Sequence, residues 1–158
     1  MSLRSRAQRL LVLATAIFSN CGTGWAACTV TATPVAFGQY RPTSSVATTT
    51  SGTITLVCTQ LLTLLPSYTI SLSAGGGSTY GNRRLASGTV FLRYQLYRDA
   101  GRQVVWGDGS GGSSTLTDTV LLSLLSSGKS YTVYGAISAG QNVAPGIYTD
   151  TILVTVTY

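Results

Sequence analysis

The side chains that could do chemistry are few, and their spacing argues against most kinds of it. The 158-residue chain has no histidine and no glutamate, and its four acidic residues are Asp99, Asp108, Asp118 and Asp150. Paired-carboxylate hydrolysis needs two acids to converge on one bond, and these fall singly among turns and strand ends. A serine nucleophile would have to be activated by Lys129, the chain's one lysine. Gly107, Gly109 and Gly112 match G-x-G-x-x-G. A dinucleotide site, however, needs a helix after that motif and an acid about twenty residues on. Ser113-Ser114-Thr115 follows instead, with no acid near position 130. Gly128-Lys129-Ser130 has the ending of a phosphate loop, but Ser123 stands where its first glycine belongs. Asp108 is one carboxylate among glycines, too few for a calcium site. The expectation is no enzyme, no cofactor and no metal.

The cysteines point to structure and to compartment. Residues 1–26 read as a secretory signal peptide: Arg4, Arg6 and Arg9, a short apolar run from Leu10 to Phe18, then Gly24-Trp25-Ala26 with small residues where a cut is made. The apolar run is about half of a membrane span, so no stable membrane insertion is expected. A cut after Ala16 would leave a very short apolar region, and Phe18-Ser19-Asn20 suits a lipoprotein cut at Cys21 poorly. Cleavage after Ala26 discards Cys21 and leaves Cys28 and Cys58, an even pair in an oxidising compartment. A disulfide closing that loop would stabilise the fold by roughly 3–4 kcal/mol. Cleavage also removes Arg4, Arg6 and Arg9, leaving seven basic residues against four aspartates. That excess is too small and scattered for nucleic acid.

The elements that must hold these residues are strands. Cys28, Val30 and Ala32 alternate with Thr29, Thr31 and Thr33, and Ile54, Leu56 and Cys58 alternate with Thr53 and Thr55. A period of two separates a buried face from a wet one. Both cysteines fall on inward registers, where a bridge would pin the first strand to the second. Tyr68, Ile70 and Leu72 repeat the pattern, and Val90, Leu92, Tyr94 and Leu96 read as one inward face. Asp99-Ala100-Gly101 predicts a hairpin turn with Gly101 at positive φ, and Val104–Trp106 returns from it. Leu61–Pro66 could be a bulged strand or a short turn, and Val120–Leu125 is where a helical turn competes. Tyr131–Tyr134 and Ile137 form another strand. The last spans Tyr148–Tyr158, with Ile152, Val154, Val156 and Tyr158 facing inward. Short strands separated by turn signals predict an all-β sandwich in one domain, residues 27–158. Most of the nine tyrosines fall within its core pattern. Tyr40, Tyr80 and Tyr97 are the better candidates for binding.

Several blocks resemble the spore coat protein U domain family, which contains the pilins of archaic chaperone–usher pili. They are Ala27-Cys-Thr-Val-Thr-Ala-Thr-Pro-Val-Ala-Phe-Gly-Gln-Tyr40, Tyr68-Thr-Ile-Ser-Leu-Ser-Ala-Gly-Gly76, Leu96-Tyr-Arg-Asp-Ala100, Val105-Trp-Gly-Asp-Gly109, Val133-Tyr-Gly135 and Pro145–Tyr158. The resemblance implies an incomplete immunoglobulin-like β-sandwich completed by a donated strand. A periplasmic chaperone lends that strand first, and a neighbouring pilin subunit replaces it at an outer-membrane usher. Backbone hydrogen bonds would satisfy the open edge, and alternate side chains would fill the unfinished core. Cys28 and Cys58 align with the family's cysteine pair, and Tyr148–Tyr158 with its final strand. The implied site is a groove walled by Ile152, Val154, Val156 and Tyr158. The implied location is the periplasm and then the cell surface or medium, with a part in adhesion and biofilm formation. The family also suggests that the terminal carboxylate docks on a basic residue of the chaperone.

One departure stands out. With cleavage after Ala26 only Ala27 precedes Cys28, whereas a polymerising pilin carries a donor segment of about ten residues or more there. The expectation is a subunit that accepts a strand without giving one, as at a pilus tip. The competing reading is a self-sufficient secreted coat or glycan-binding β-sandwich module.

Overall fold

The computed structural model describes residues 28–58, 67–119 and 128–157. The segment read as a signal peptide, the apolar stretches Leu61–Pro66 and Val120–Leu125, and Tyr158 lie outside them. Among the described residues, threonine and β-branched residues alternating at period two build nine strands. These are β1 (Cys28–Ala32), β2 (Thr48–Cys58), β3 (Ser67–Leu72), β4 (Arg84–Ser87), β5 (Val90–Arg93), β6 (Gln95–Tyr97), β7 (Leu116–Thr119), β8 (Lys129–Ile137) and β9 (Val154–Thr157). One sheet has the order β1-β2-β8-β6 and a second the order β7-β3-β9, while β4 and β5 form a separate hairpin. All strand pairs among the described residues are antiparallel. Helical content among the described residues is two 3-10 turns, Gly75–Gly77 and Tyr80–Asn82. The architecture is all-β, as expected.

The inward registers meet in one core. Ile54 and Leu56 of β2, Ile70 and Leu72 of β3, and Val133 and Ile137 of β8 are buried together with Trp106. Trp106 is fully enclosed, and its indole N–H is satisfied by the carbonyl of Ile70 at 3.1 Å. That bond anchors the irregular 98–115 region to β3.

Beyond Thr33 the chain leaves its sheet edge and crosses the inner face of β2 and β8. Its path is open because Gly52 and Gly135, both on inward registers, carry no side chain. A Cβ on Gly52 would lie 2.8 Å from the carbonyl oxygen of Thr33, and one on Gly135 would lie 2.7 Å from Cγ1 of Val35. Val35 occupies the space so created and is buried. Phe37 follows, meeting the Tyr94 ring edge-on at 5.8 Å between centroids.

Four local expectations are corrected. The stretch Val90–Leu96 is not one strand: β5 pairs with β4, and β6 pairs with β8, so the chain changes partners at Tyr94. Leu92, Tyr94 and Leu96 are still buried, because the alternation survives the change. At the Asp99 turn the positive φ belongs to Arg102, at 55°, rather than to Gly101. The Asp99 carboxylate accepts the N–H groups of Gln103 and Val104 at 2.8–3.1 Å, and this holds the turn in place of a glycine. The return through Val104–Trp106 makes only isolated bridges, Tyr97 to Val105 and Trp106 to Ser114. Finally, the last strand is shorter than its alternation. Only Val154–Thr157 is regular, preceded by a single bridge between Thr149 and Ala86.

Candidate functional site: the cleft between two sheet edges

β1 and β9 each stand at the end of a sheet. β1 pairs with β2 and β9 with β3, and among the described residues no strand pairs with the other side of either. Their inward side chains are covered less well than those of the strands beside them. Cys28, Val30 and Ala32 on β1 and Val156 on β9 are half-buried against the core. By contrast, Ile54 and Leu56 on β2 and Ile70 and Leu72 on β3 are at most 2% exposed. Burial thus falls off along β1 and at Val156 of β9, while Val154 stays buried.

A small apolar cleft of about 30 Å³ touches both edge strands. Ala32 borders it from β1, and Ile152 and Val154 from the final segment, with Ile54 and Leu72 in its floor. Of the four groove residues expected from the sequence, Ile152 and Val154 line the cleft and are each 5% exposed. Val156 lies in the same register, opposite Ile70 of β3, and is half-buried. Tyr158 lies outside the described residues. Ala32, Leu72 and Tyr94 also line it. Sequence periodicity placed each on an inward face without indicating that they share one opening.

A polar network fixes the rim of the cleft. The Tyr94 hydroxyl donates to Oδ2 of Asp150 at 2.6 Å, while Oδ1 accepts the N–H of Gly76 at 2.9 Å and of Thr151 at 2.8 Å. Burial, reinforced by the Asp150 hydrogen bond, holds the Tyr94 hydroxyl far above its ordinary pKa, so it stays a donor. Nearby, Arg83 is 1% exposed and donates to Oε1 of Gln95 at 2.9 Å and to the carbonyls of Ser73 and Trp106 at 2.7 and 2.8 Å. Its guanidinium also lies over the Tyr80 ring, 5.2 Å from the centroid. Burial lowers its pKa, and the nearby Tyr94, Tyr80 and Asp150 oppose that shift.

A second network ties the two sheets together on the far side of β3. Tyr68 and Tyr131 share a hydroxyl–hydroxyl hydrogen bond, and Tyr131 donates to Oδ2 of Asp118 at 2.9 Å. Lys129 approaches the same oxygen at 2.6 Å. Its hydrogen bond is the main reason that the Asp118 carboxyl titrates low and the Lys129 ammonium high. Burial, with Tyr68 and Asp118 as partners, raises Tyr131.

Asp108 accepts the N–H and hydroxyl of Ser110 at 2.8 and 2.6 Å, so each aspartate has a local structural task and the four do not converge. The Gly107–Gly112 loop leads into strand β7, not a helix, and it folds back through Ser113 and Ser114. A Cβ on Gly107 would sit 2.2 Å from Oγ of Ser113, so this glycine makes room for protein rather than for a ligand. Two of the three tyrosines expected to bind are likewise structural. Tyr40 donates to the carbonyl of Ser138 and accepts from the N–H of Gln141, and Tyr80 donates to the carbonyl of Leu72. Tyr97 is half-buried in β6, opposite Tyr134. Cys28 is disulfide-bonded and stands directly across from Cys58 in the β1–β2 register.

Comparison with known proteins agrees with this architecture. A family model described as the Spore Coat Protein U domain matches residues 14–155. Protein U of Myxococcus xanthus is 32% identical over 112 residues, which are 68% of this chain and 59% of that protein. The chain thus spans about three fifths of that relative's length. Among solved structures, a chain of the CsuC–CsuE chaperone–tip adhesion subunit pre-assembly complex, from the archaic chaperone-usher Csu pili of Acinetobacter baumannii, superposes with a TM-score of 0.53. That match has 21% identity and covers 86% of this chain and 41% of the other, a likeness of fold.

Proposed function

Since the chain belongs to the Spore Coat Protein U domain family, we propose that it is a subunit of a surface pilus, assembled by donor-strand complementation through a chaperone–usher pathway. The observation that carries this reading is the paired loss of cover at β1 and β9 around the apolar cleft. A strand inserted between those edges would satisfy two rows of backbone groups and complete the burial of Val30, Ala32 and Val156. Left open, such edges invite uncontrolled pairing, which gives a dedicated periplasmic chaperone its purpose. In this reading the sandwich is immunoglobulin-like and short of its final strand. Residues 1–26 direct export and are removed, and residues 27–158 form the mature domain. Cys28 and Cys58 are bridged. The chaperone, an outer-membrane usher and neighbouring pilin subunits are the successive partners. The end point is the cell surface, in support of adhesion and biofilm formation.

The test is to produce the chain in the periplasm with and without the cognate chaperone. The chain made alone should aggregate or be degraded, and the co-produced chain should be captured as a one-to-one complex. Val154→Asp and Val156→Asp should abolish capture, because each sends a carboxylate to the inner face. Thr155→Asp, on the other face, should be far milder. A soluble, monomeric, cooperatively folded chain made alone would overturn the reading in favour of a self-sufficient secreted module.

A further inference from the structure

We infer that the outer face of the β4–β5 hairpin is a binding site for an anionic saccharide, one bearing carboxylates on a pyranose chain. The inference stands apart from the pilus reading, since it concerns a surface away from the cleft between β1 and β9. Arg84 and Arg93 are direct cross-strand partners in the hairpin register. Like charges placed opposite each other in a sheet destabilise it, and neither arginine forms an ion pair with a carboxylate among the described residues. Two arginines thus share one face of the hairpin without a counter-charge among the described residues.

The surroundings are those of a site rather than of a solvated face. Both arginines line an open groove of about 500 Å³ with Asn82, Phe91, Asn142 and Val143, a size suited to a few sugar rings. Arg84 is pinned by its own neighbours: its guanidinium lies 4.0 Å from the centroid of the Phe91 ring. Its Nε is buried with no hydrogen-bond partner. Stacking fixes the plane of the guanidinium, and its two terminal nitrogens, which make no hydrogen bond among the described residues, are left for a carboxylate, which arginine binds in bidentate fashion. Arg93 is held through its backbone instead. Its N–H donates to Oε1 of Gln141 at 2.8 Å, and its carbonyl accepts from Nε2 of the same residue at 2.8 Å. The Arg93 guanidinium is therefore free on a fixed stem. Asn82 and Asn142 make no side-chain hydrogen bonds among the described residues and offer amides to hydroxyl groups. Phe91 is 42% exposed and offers apolar surface to a pyranose beside the stacked Arg84 guanidinium. Cations for carboxylates, amides for hydroxyls and a ring face for a sugar coincide in one groove. The weak and scattered overall charge argues against a polyanion held by general electrostatics.

The experiment is calorimetric titration of the folded chain, as the chaperone complex if it needs one, with tetragalacturonate and with the neutral tetramer maltotetraose. Tetragalacturonate should bind and maltotetraose should not. Arg84→Gln and Arg93→Gln should each weaken binding by about tenfold, the loss of one charge-assisted contact. Arg41→Gln removes the same charge from an exposed loop and should change nothing. Arg93→Gln should unfold no more easily than the native chain, since it relieves a like-charge pair. Equal affinity for the two tetramers, or equal weakening by Arg41→Gln and Arg93→Gln, would overturn the assignment. So would no binding of tetragalacturonate by a chain shown to be folded.

Discussion

Tyr94 donates a 2.6 Å hydrogen bond to Asp150 across the rim of the cleft. The two residues belong to distant segments, and the bond joins the point where the chain changes sheets to the approach to β9. Asp150 in turn holds Gly76 and Thr151, so one carboxylate orients the 3-10 turn and the residue before Ile152. Tyr94→Phe should keep the packing and lose this bond. A hydrogen bond to a charged acceptor is worth about 1.5–3 kcal/mol. Urea unfolding should show a lower midpoint with an unchanged slope, and an unchanged midpoint would mean that the rim does not depend on this contact.

The raised tyrosines make stability sensitive to alkali. Tyr94 and Tyr131 have folded-state pKa values above the unfolded one. Their contribution is fully present below about pH 10, the unfolded value, and declines as pH rises beyond it. Lys129, also raised, acts in the same direction. Asp118 is depressed, so its contribution is present above about pH 4 and is lost as pH falls further. Unfolding followed by circular dichroism should show a stable plateau between these limits. Tyr131→Phe should flatten the alkaline slope while leaving most of the acid slope, and an unaltered alkaline slope would count against the coupling.

The bare inner face at Gly52 and Gly135 can be tested by adding one methyl group. Gly135→Ala meets only side-chain atoms, of Val35 and Phe37, whereas Gly52→Ala meets the backbone oxygen of Thr33 and the amide nitrogen of Val35 as well as Cγ2 of Val35. Overpacking of this kind costs about 1–3 kcal/mol. Val35→Ala removes a side-chain clash in both cases, but it should leave a residual penalty in Gly52→Ala, because the backbone oxygen of Thr33 cannot be trimmed. Additive effects at 35 and 135 would refute the proposed contact.

The bridge proposed between Cys28 and Cys58 would fasten the exposed edge strand β1 to β2. Replacing both by serine should lower stability by roughly 3–4 kcal/mol on the chain-entropy account. It should also remove the mobility difference between reduced and unreduced protein in denaturing gels. A persistent difference would place the bond elsewhere.

Period-two alternation was enough to identify, from sequence, the inward faces that became the core. Ile54 with Leu56, Tyr68 with Ile70 and Leu72, and Ile152 with Val154 are all buried where the pattern put them. That information is local, since a strand's two faces follow from its backbone alone. The blocks that resemble the family were legible for the same reason, as they are contiguous runs. Pairing is not local, and there the tertiary structure decided. Nothing in Val90–Leu96 shows that its halves join different sheets, because alternation continues through Tyr94 while the partners change. Nothing local explains Gly52 and Gly135, whereas the crossing of Val35 makes their lack of side chains a requirement of packing. Asp99 took over the turn from Gly101 through hydrogen bonds to residues that only the folded turn brings near. The cleft at β1 and β9, and the facing of Arg84 and Arg93 on one hairpin, depend on which edges the sheets leave open and which strands become neighbours.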